Sequence, residues 1–203
     1  MKLIALLATV FVAALCASSV AQTFQIPVAG PHFVYAMNPQ VQEHLKLSAD
    51  QKKSIKKLLE NIIQDDGAGH TMIVMGDQDD SKELDKKVLE IFNEKQRKRF
   101  VEIYLQQVGY SALSRKEYAE KLGVSKEQTS KLETIWESHS ARMQALFDPS
   151  GSGEITIDKA QMDKLKERLN KEVEAVLTKK QLDDWKKMLG EKFELKDGHL
   201  LAA

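Results

Sequence analysis

Apolar positions along this chain recur at helical spacing, and the same short polar signal precedes four of the runs. An apolar residue comes first, then Ser48, Asn93, Ser125 or Thr178, and a glutamine follows three positions later as Gln51, Gln96, Gln128 or Gln181. This is the pattern of a capping box. The short side chain accepts a hydrogen bond from a free backbone N–H of the first turn, and the glutamine reaches back to the cap's own N–H. Behind Ser48 the apolar face is Ile55, Leu58, Leu59 and Ile62; behind Ser125 it is Leu132, Ile135, Trp136 and His139. Behind Asn93 it is Phe100, Ile103 and Tyr104, and behind Thr178 it is Trp185, Met188 and Leu189. Spacings of three and four place each set on one helix face. Leu177 and Leu182 alone could add a hydrophobic staple, because Lys52, Arg97 and Thr129 hold that position elsewhere.

The four signals form an order A-B-A-B. Residues 46–51 match 123–128 at an offset of 77, and 92–96 match 177–181 at an offset of 85. The repeating unit is therefore a half of about 80 residues with two helix starts. The pattern predicts an all-α fold, a duplicated helical bundle with half 1 at 38–113 and half 2 at 114–203. Asn38-Pro39 opens a short helix reaching about Lys46, since proline at a first helical position loses no bond. Ser114 with Glu117 predicts the start of its counterpart, ending at Leu122. Asp80 to Ile91 and Asp158 to Val176 read as the helices ahead of the second signal in each half. No run alternates like a strand, Met72 to Met75 being ambiguous. Gln64 to Gln78 and Asp148 to Gly153, rich in glycine, read as loops, and 22–37 as an extended arm with Pro27, Gly30 and Pro31.

The N-terminus adds an address. Lys2, the apolar run Leu3 to Leu15 and the small residues of Ser19-Val20-Ala21 make 1–21 a secretory signal peptide, with cleavage near Ala21 and a secreted or periplasmic product. No later stretch approaches the ~20 apolar residues of a membrane span. Cys16, the only cysteine, falls within the signal, so the mature chain has no disulfide, thiol nucleophile or thiolate metal site. The 30 basic and 30 acidic residues are interspersed, which argues against nucleic acid as a partner.

Candidate chemistry is sparse. Asp148 to Lys159 resembles an EF-hand calcium loop, with Asp148, Ser150, Ser152 and Glu154 as its candidate calcium residues, Gly153 for the turn and Ile155 at the apolar place. Lys159, however, occupies the twelfth position, where the motif needs a bidentate glutamate. In the first half Asp77, Asp79 and Asp80 begin a comparable run, but Lys82 replaces the turn glycine and Val88 stands at position twelve; an acidic helix start explains them better. His139 on its apolar face reads as a core residue. His70, Met72 and Met75 would suit a soft metal, but in a glycine-rich loop they form no defined ligand set. His32, His44 and His199 lack companions at ligand spacing, and Trp136 and Trp185 fall at core positions. No nucleophile elbow, phosphate-cradling loop or His-Glu-x-x-His motif is present. The expectation is a non-enzymatic protein without catalytic residues or cofactor.

The four apolar-Ser/Thr/Asn-x-x-Gln segments in an exported helical chain resemble the Leu-Thr-x-x-Gln signature of Spy/CpxP-type periplasmic proteins. That likeness implies a small helical chaperone, stress regulator or metal-responsive sensor. The chain is also similar to uncharacterised secreted all-helical proteins of planctomycete bacteria, through Val41 to Gln51, Gln96 to Gly109, Tyr118 to Gln128 and Trp185 to Phe193. The sequence thus leads to an exported helical binding protein, chaperone-like or stress-sensing, with a protein partner or unfolded client. The alternatives are a calcium-binding EF-hand-like module through 148–159 and a structural envelope component.

Overall fold

The structure is a computed structural model that describes residues 32–60, 62–65, 71–73, 78–145 and 159–195. It is an all-α fold. The α-helices in chain order are α1 (His32–Met37), α2 (Pro39–His44), α3 (Ala49–Leu59), α4 (Gln78–Ile91), α5 (Glu94–Val108), α6 (Lys116–Lys121), α7 (Lys126–Gln144), α8 (Lys159–Glu174) and α9 (Lys179–Leu189). A 3₁₀ turn, Gly109–Ser114, joins α5 to α6.

All four glutamine signals start helices. Ser48, Asn93, Ser125 and Thr178 each accept from the N–H of the glutamine three residues on, and each glutamine accepts from the cap's N–H at 2.9 to 3.1 Å. Asn38 caps α2, accepting from Gln40 and Val41. The chain leaves α2 through Lys46, with φ 52°, while Lys46 N–H and Leu47 N–H return to the Glu43 and Gln42 carbonyls. It leaves α6 through Gly123, φ 67°, with Gly123 and Val124 bonded back to Glu120 and Ala119 in the same way. Both exits are Schellman motifs, whose left-handed residue glycine adopts more readily than lysine.

Three local expectations need correction. His32–Met37 is helical and contributes buried Phe33, Tyr35 and Ala36, where an extended arm was expected over 22–37. Its first N–H groups find a partner in the side chain of Asp85 on α4, so the helix is capped from outside its own sequence. Ser114 does not cap α6. Its hydroxyl donates to the Ser111 carbonyl at 2.8 Å, Arg115 takes the cap position, and Glu117 pairs with Arg115. Within the expected loop 64–78, Ile63–Asp65 (β1) and Thr71–Ile73 (β2) form a short antiparallel pair, with Gln64 opposite Met72. Three-residue strands are too short for alternation to reveal them.

The core is one cluster drawn from residues between Phe33 and Trp185. Phe33, Val41, Ile55, Leu59, Val88, Phe100, Ile103 and Tyr104 join Tyr110, Tyr118, Leu132, Leu169, Val173 and Trp185. Burying each large apolar side chain contributes roughly 1.5–3 kcal/mol relative to exposure. α3 packs on α4, and α7 packs on α8; α1 lies against α3 and α4, as the 3₁₀ turn lies against α7 and α8. α5 contacts α9, and Trp185 stacks on Tyr110 at 5.1 Å between ring centres. Of the expected faces, Ile55, Leu59, Leu132 and Trp136 are buried, and Leu58, Ile62 and Ile135 are half-buried. His139, expected in the core, is only half-buried, because α7 leaves the core beyond Trp136.

The packing of α7 and α8 is uneven along their length. No residue of 137–145 is buried, nor any of 160–168, so the paired helices leave the core beyond Trp136 and Leu169.

Candidate functional site

Two regions concentrate polar chemistry, one inside the fold and one on its surface. The inner region begins with His32, the first residue of α1, only 1% exposed. Its Nε2 lies 2.6 Å from the Tyr118 hydroxyl on α6; because Nδ1 faces the Asp85 carboxylate, the ring proton is assigned to Nδ1 and the hydroxyl to donating to Nε2. Nδ1 is 3.5 Å from Asp85 Oδ2 and makes no hydrogen bond, so that contact is electrostatic only. Asp85, 3% exposed, is held instead by Arg115 Nη2 at 2.7 Å and by the Phe33 N–H at 3.0 Å. Arg115 also reaches Glu117 at 3.2 Å and sits over the Tyr104 ring, 5.9 Å from its centre. The Tyr104 ring meets the His32 ring edge-on at 4.2 Å.

Burial governs the protonation of this cluster. It drives the His32 pKa down to about 3, with the nearby Arg115 charge adding to the effect, so the imidazole is neutral in the folded protein. Burial also raises Asp85, partly offset by Arg115 and the backbone donors of Phe33 and His32. Burial opposes the Arg115 charge, but Tyr104, Asp85 and Glu117 outweigh it and hold the guanidinium protonated. Tyr118 and Tyr104 are raised well above the usual phenol range by burial first, and Tyr35 is pushed up to about 12 for the same reason. Tyr118, His32 and Asp85 follow one another as hydroxyl, imidazole and carboxylate do in a nucleophilic triad. All three are buried, and the cluster ties α1 to α4 and α6.

The surface region lies between α3 and α4. A groove of about 550 Å³ is lined by Ser54, Lys57, Leu58, Lys87, Glu90 and Ile91. Leu58 and Ile91 are half-buried, and the four polar residues around them are exposed. Lys87 also pairs with Glu83 at 2.6 Å, one turn back on α4.

Comparison of the chain with protein-family models, curated proteins and solved structures gave no match. Its chemistry rests on its own residues.

Asp148, Ser150, Ser152 and Glu154 lie outside the described residues, and Lys159 is the first residue of α8. Val88, at position twelve of the comparable first-half run, is wholly buried in the core. Asp77, His70, Met75 and His199 lie outside the described residues, and Met72 falls in β2. His139 is half-buried, and burial with the Arg142 charge lowers its pKa despite Glu172. His44 is exposed and accepts from Arg99 Nε at 2.9 Å. Among the described residues no group of three or more His, Cys, Asp or Glu is placed to hold a metal ion. His32 does have polar and aromatic neighbours, which its position in the sequence does not reveal. They arrive from α4, α5 and α6, with Tyr118 86 residues away in sequence. The one sequence clue is a histidine beside a hydrophobic run, Phe33 to Met37, in a segment expected to be an extended arm.

Proposed function

We propose that this is an exported, non-enzymatic helical binding protein that holds unfolded or partly folded polypeptide in a chaperone-like manner. The observation that carries the reading is the α3–α4 groove, where Leu58 and Ile91 stand partly open among Lys57, Lys87, Glu90 and Ser54. An unfolded segment offers what such a surface takes: apolar side chains for the centre and free backbone and charged groups for the rim. The likeness to Spy/CpxP-type proteins supports the same reading, as does the signal-like 1–21 segment, which directs the chain to a secreted or periplasmic setting. The experiment is light scattering of a chemically unfolded client, with and without residues 22–203. Suppression at near-stoichiometric amounts, weakened in a Leu58→Gln/Ile91→Gln variant that stays folded, supports the role. Aggregation unchanged by the folded protein overturns it.

The two halves read as copies of one helical unit. Gln51 with Gln96 and Gln128 with Gln181 form the same arrangement at corresponding places, and the Lys46 and Gly123 exits correspond as well. A second reading, a structural envelope component assembled through its helices, draws on the α7–α8 pair. Met143, Met162 and Leu165 are half-buried there without joining the core cluster. Sedimentation over a concentration series separates an assembling protein from a monomeric binder.

A further inference from the structure

We infer that α1 is an acid-released latch: protonation of His32 undocks the helix from α4, α5 and α6 while the rest of the bundle stays folded. Three neighbouring elements surround His32, and a second ring proton would meet the Tyr118 hydroxyl. With Tyr118 assigned as donor to Nε2 at 2.6 Å, protonation there forces the hydroxyl to turn, give up its donation and accept instead. On α4, Asp85 faces the ring, but its oxygens are engaged by Arg115 at 2.7 Å and the Phe33 N–H at 3.0 Å. On α6, Glu117 stands 3.8 Å away, half in water and paired with Arg115 at 3.2 Å. Ahead of α6, Arg115 repels a second cation. On α5 the facing titratable group is Tyr104, whose ring packs edge-on against the imidazole. α3, also against α1, carries its lysines, Lys52, Lys53, Lys56 and Lys57, at exposed positions. Two carboxylates would favour an imidazolium, but both already serve Arg115, and a buried ring gains a charge only by losing its hydration.

The direction follows from the protons bound. The released ring has the ordinary histidine pKa of 6.5 and the docked ring about 3, so between these values the released state binds more protons. Docking weakens by about tenfold for each pH unit below 6.5. Asp85, raised by burial, takes up a proton at the acid end and opposes the trend there. Helices α3, α5, α7 and α9 carry capping boxes of their own and share the wider core. By contrast, α1 is the element released because its N-terminus is held by Asp85 within this cluster, beside the packing of Phe33, Tyr35 and Ala36. Release uncovers those apolar side chains and the surface beneath them, independently of any client at the α3–α4 groove.

The test is hydrogen exchange of residues 22–203 read by mass spectrometry from pH 7.5 to 4.5, with rates corrected for intrinsic pH dependence. A histidine-specific NMR titration of the same protein accompanies it. The expected result is about a hundredfold loss of α1 protection between pH 6.5 and 4.5 with α5 and α9 protection retained, and a neutral His32 for as long as α1 is docked. In His32→Gln, which keeps an acceptor for Tyr118 without titrating, α1 protection is expected not to fall between pH 6.5 and 4.5. Protection of α1 unchanged down to pH 4.5, lost only together with α5 and α9, or maintained with a protonated His32, overturns the inference. The wild-type titration decides the matter if His32→Gln does not fold.

Discussion

Gln51 and Gln96, 45 residues apart, grip each other through both ends of their side-chain amides, Nε2 to Oε1 at 2.7 Å one way and 3.2 Å the other. Each Oε1 also accepts from its own cap N–H, and each Nε2 also donates to a backbone carbonyl, Ile91 for Gln51 and Leu45 for Gln96. Two donors and two acceptors are thereby used on every amide. Gln128 and Gln181 repeat the arrangement, with Val176 and Gly123 as the carbonyls. The motif therefore requires glutamine specifically. Glutamate has no donors, and asparagine is one methylene too short.

Replacing Gln51 by glutamate keeps the cap acceptor, removes both donors and sets a carboxylate against Gln96 Oε1 and the Ile91 carbonyl. At about 0.5–1.5 kcal/mol for each neutral hydrogen bond, the expected loss is roughly 2 kcal/mol. Gln128→Glu should lose a similar amount. Urea unfolding measures both, and a loss below 0.5 kcal/mol (about the size of ordinary surface changes) would mean that the clasp adds nothing beyond the caps.

Lys46 and Gly123 occupy corresponding helix exits, both with positive φ. A left-handed non-glycine residue costs roughly 1–2 kcal/mol, part of which glycine returns as chain entropy. Lys46→Gly is expected to stabilise by roughly 0.5–1 kcal/mol and Gly123→Ala to destabilise by about 1 kcal/mol. Thermal melts of the two variants should move in opposite directions.

Removing the guanidinium in Arg115→Met leaves Asp85 buried without its cation, an expected loss of about 3–5 kcal/mol at pH 7. The folded-state pKa of Asp85 is already raised by burial and climbs further without Arg115. A group raised on folding contributes its stability below its unfolded pKa and loses it as pH rises, so the deficit should shrink as the solution is acidified. The difference in urea midpoint between wild type and variant at pH 7 and pH 5 checks that sign. Asp85→Asn added to Arg115→Met should recover part of the loss.

Gln106 fastens the segment after α9. Its Nε2 donates to the Leu189 and Glu191 carbonyls, and its Oε1 accepts from Phe193 N–H at 2.7 Å. Arg99 adds a bond to Glu191 O at 2.8 Å, and Phe193 packs on the His44 ring. In Gln106→Ala, residues 191–195 should lose most of their hydrogen-exchange protection while α5 keeps its own. A segment equally protected in the variant would show that Arg99 and Phe193 suffice.

What the sequence could show depended on how local each feature is. The helix starts at Ser48, Asn93, Ser125 and Thr178 are legible because a cap and its glutamine lie three residues apart, and the buried faces because helical spacing is local too. The glutamine clasps were not legible, although every participating residue was singled out as a cap: the partner of each amide is 45 or 53 residues away. His32 was missed for the same reason, its partners lying on three separate elements. The helix over 32–37 was missed because its cap is the Asp85 side chain of α4, a tertiary contact that overrides a proline- and glycine-rich approach. Ser114 shows the converse: a side chain with the right identity for a cap was drawn instead to the nearer Ser111 carbonyl.

The groove between α3 and α4 is the part of the account most directly open to measurement. Hydrogen exchange of residues 22–203 with and without a permanently unfolded, non-aggregating client at neutral pH tests it. The account predicts added protection at residues 54–58 and 87–91 (around Leu58 and Ile91) and none at α9. Client binding that leaves α3 and α4 unchanged, or no binding by the folded protein, would contradict it.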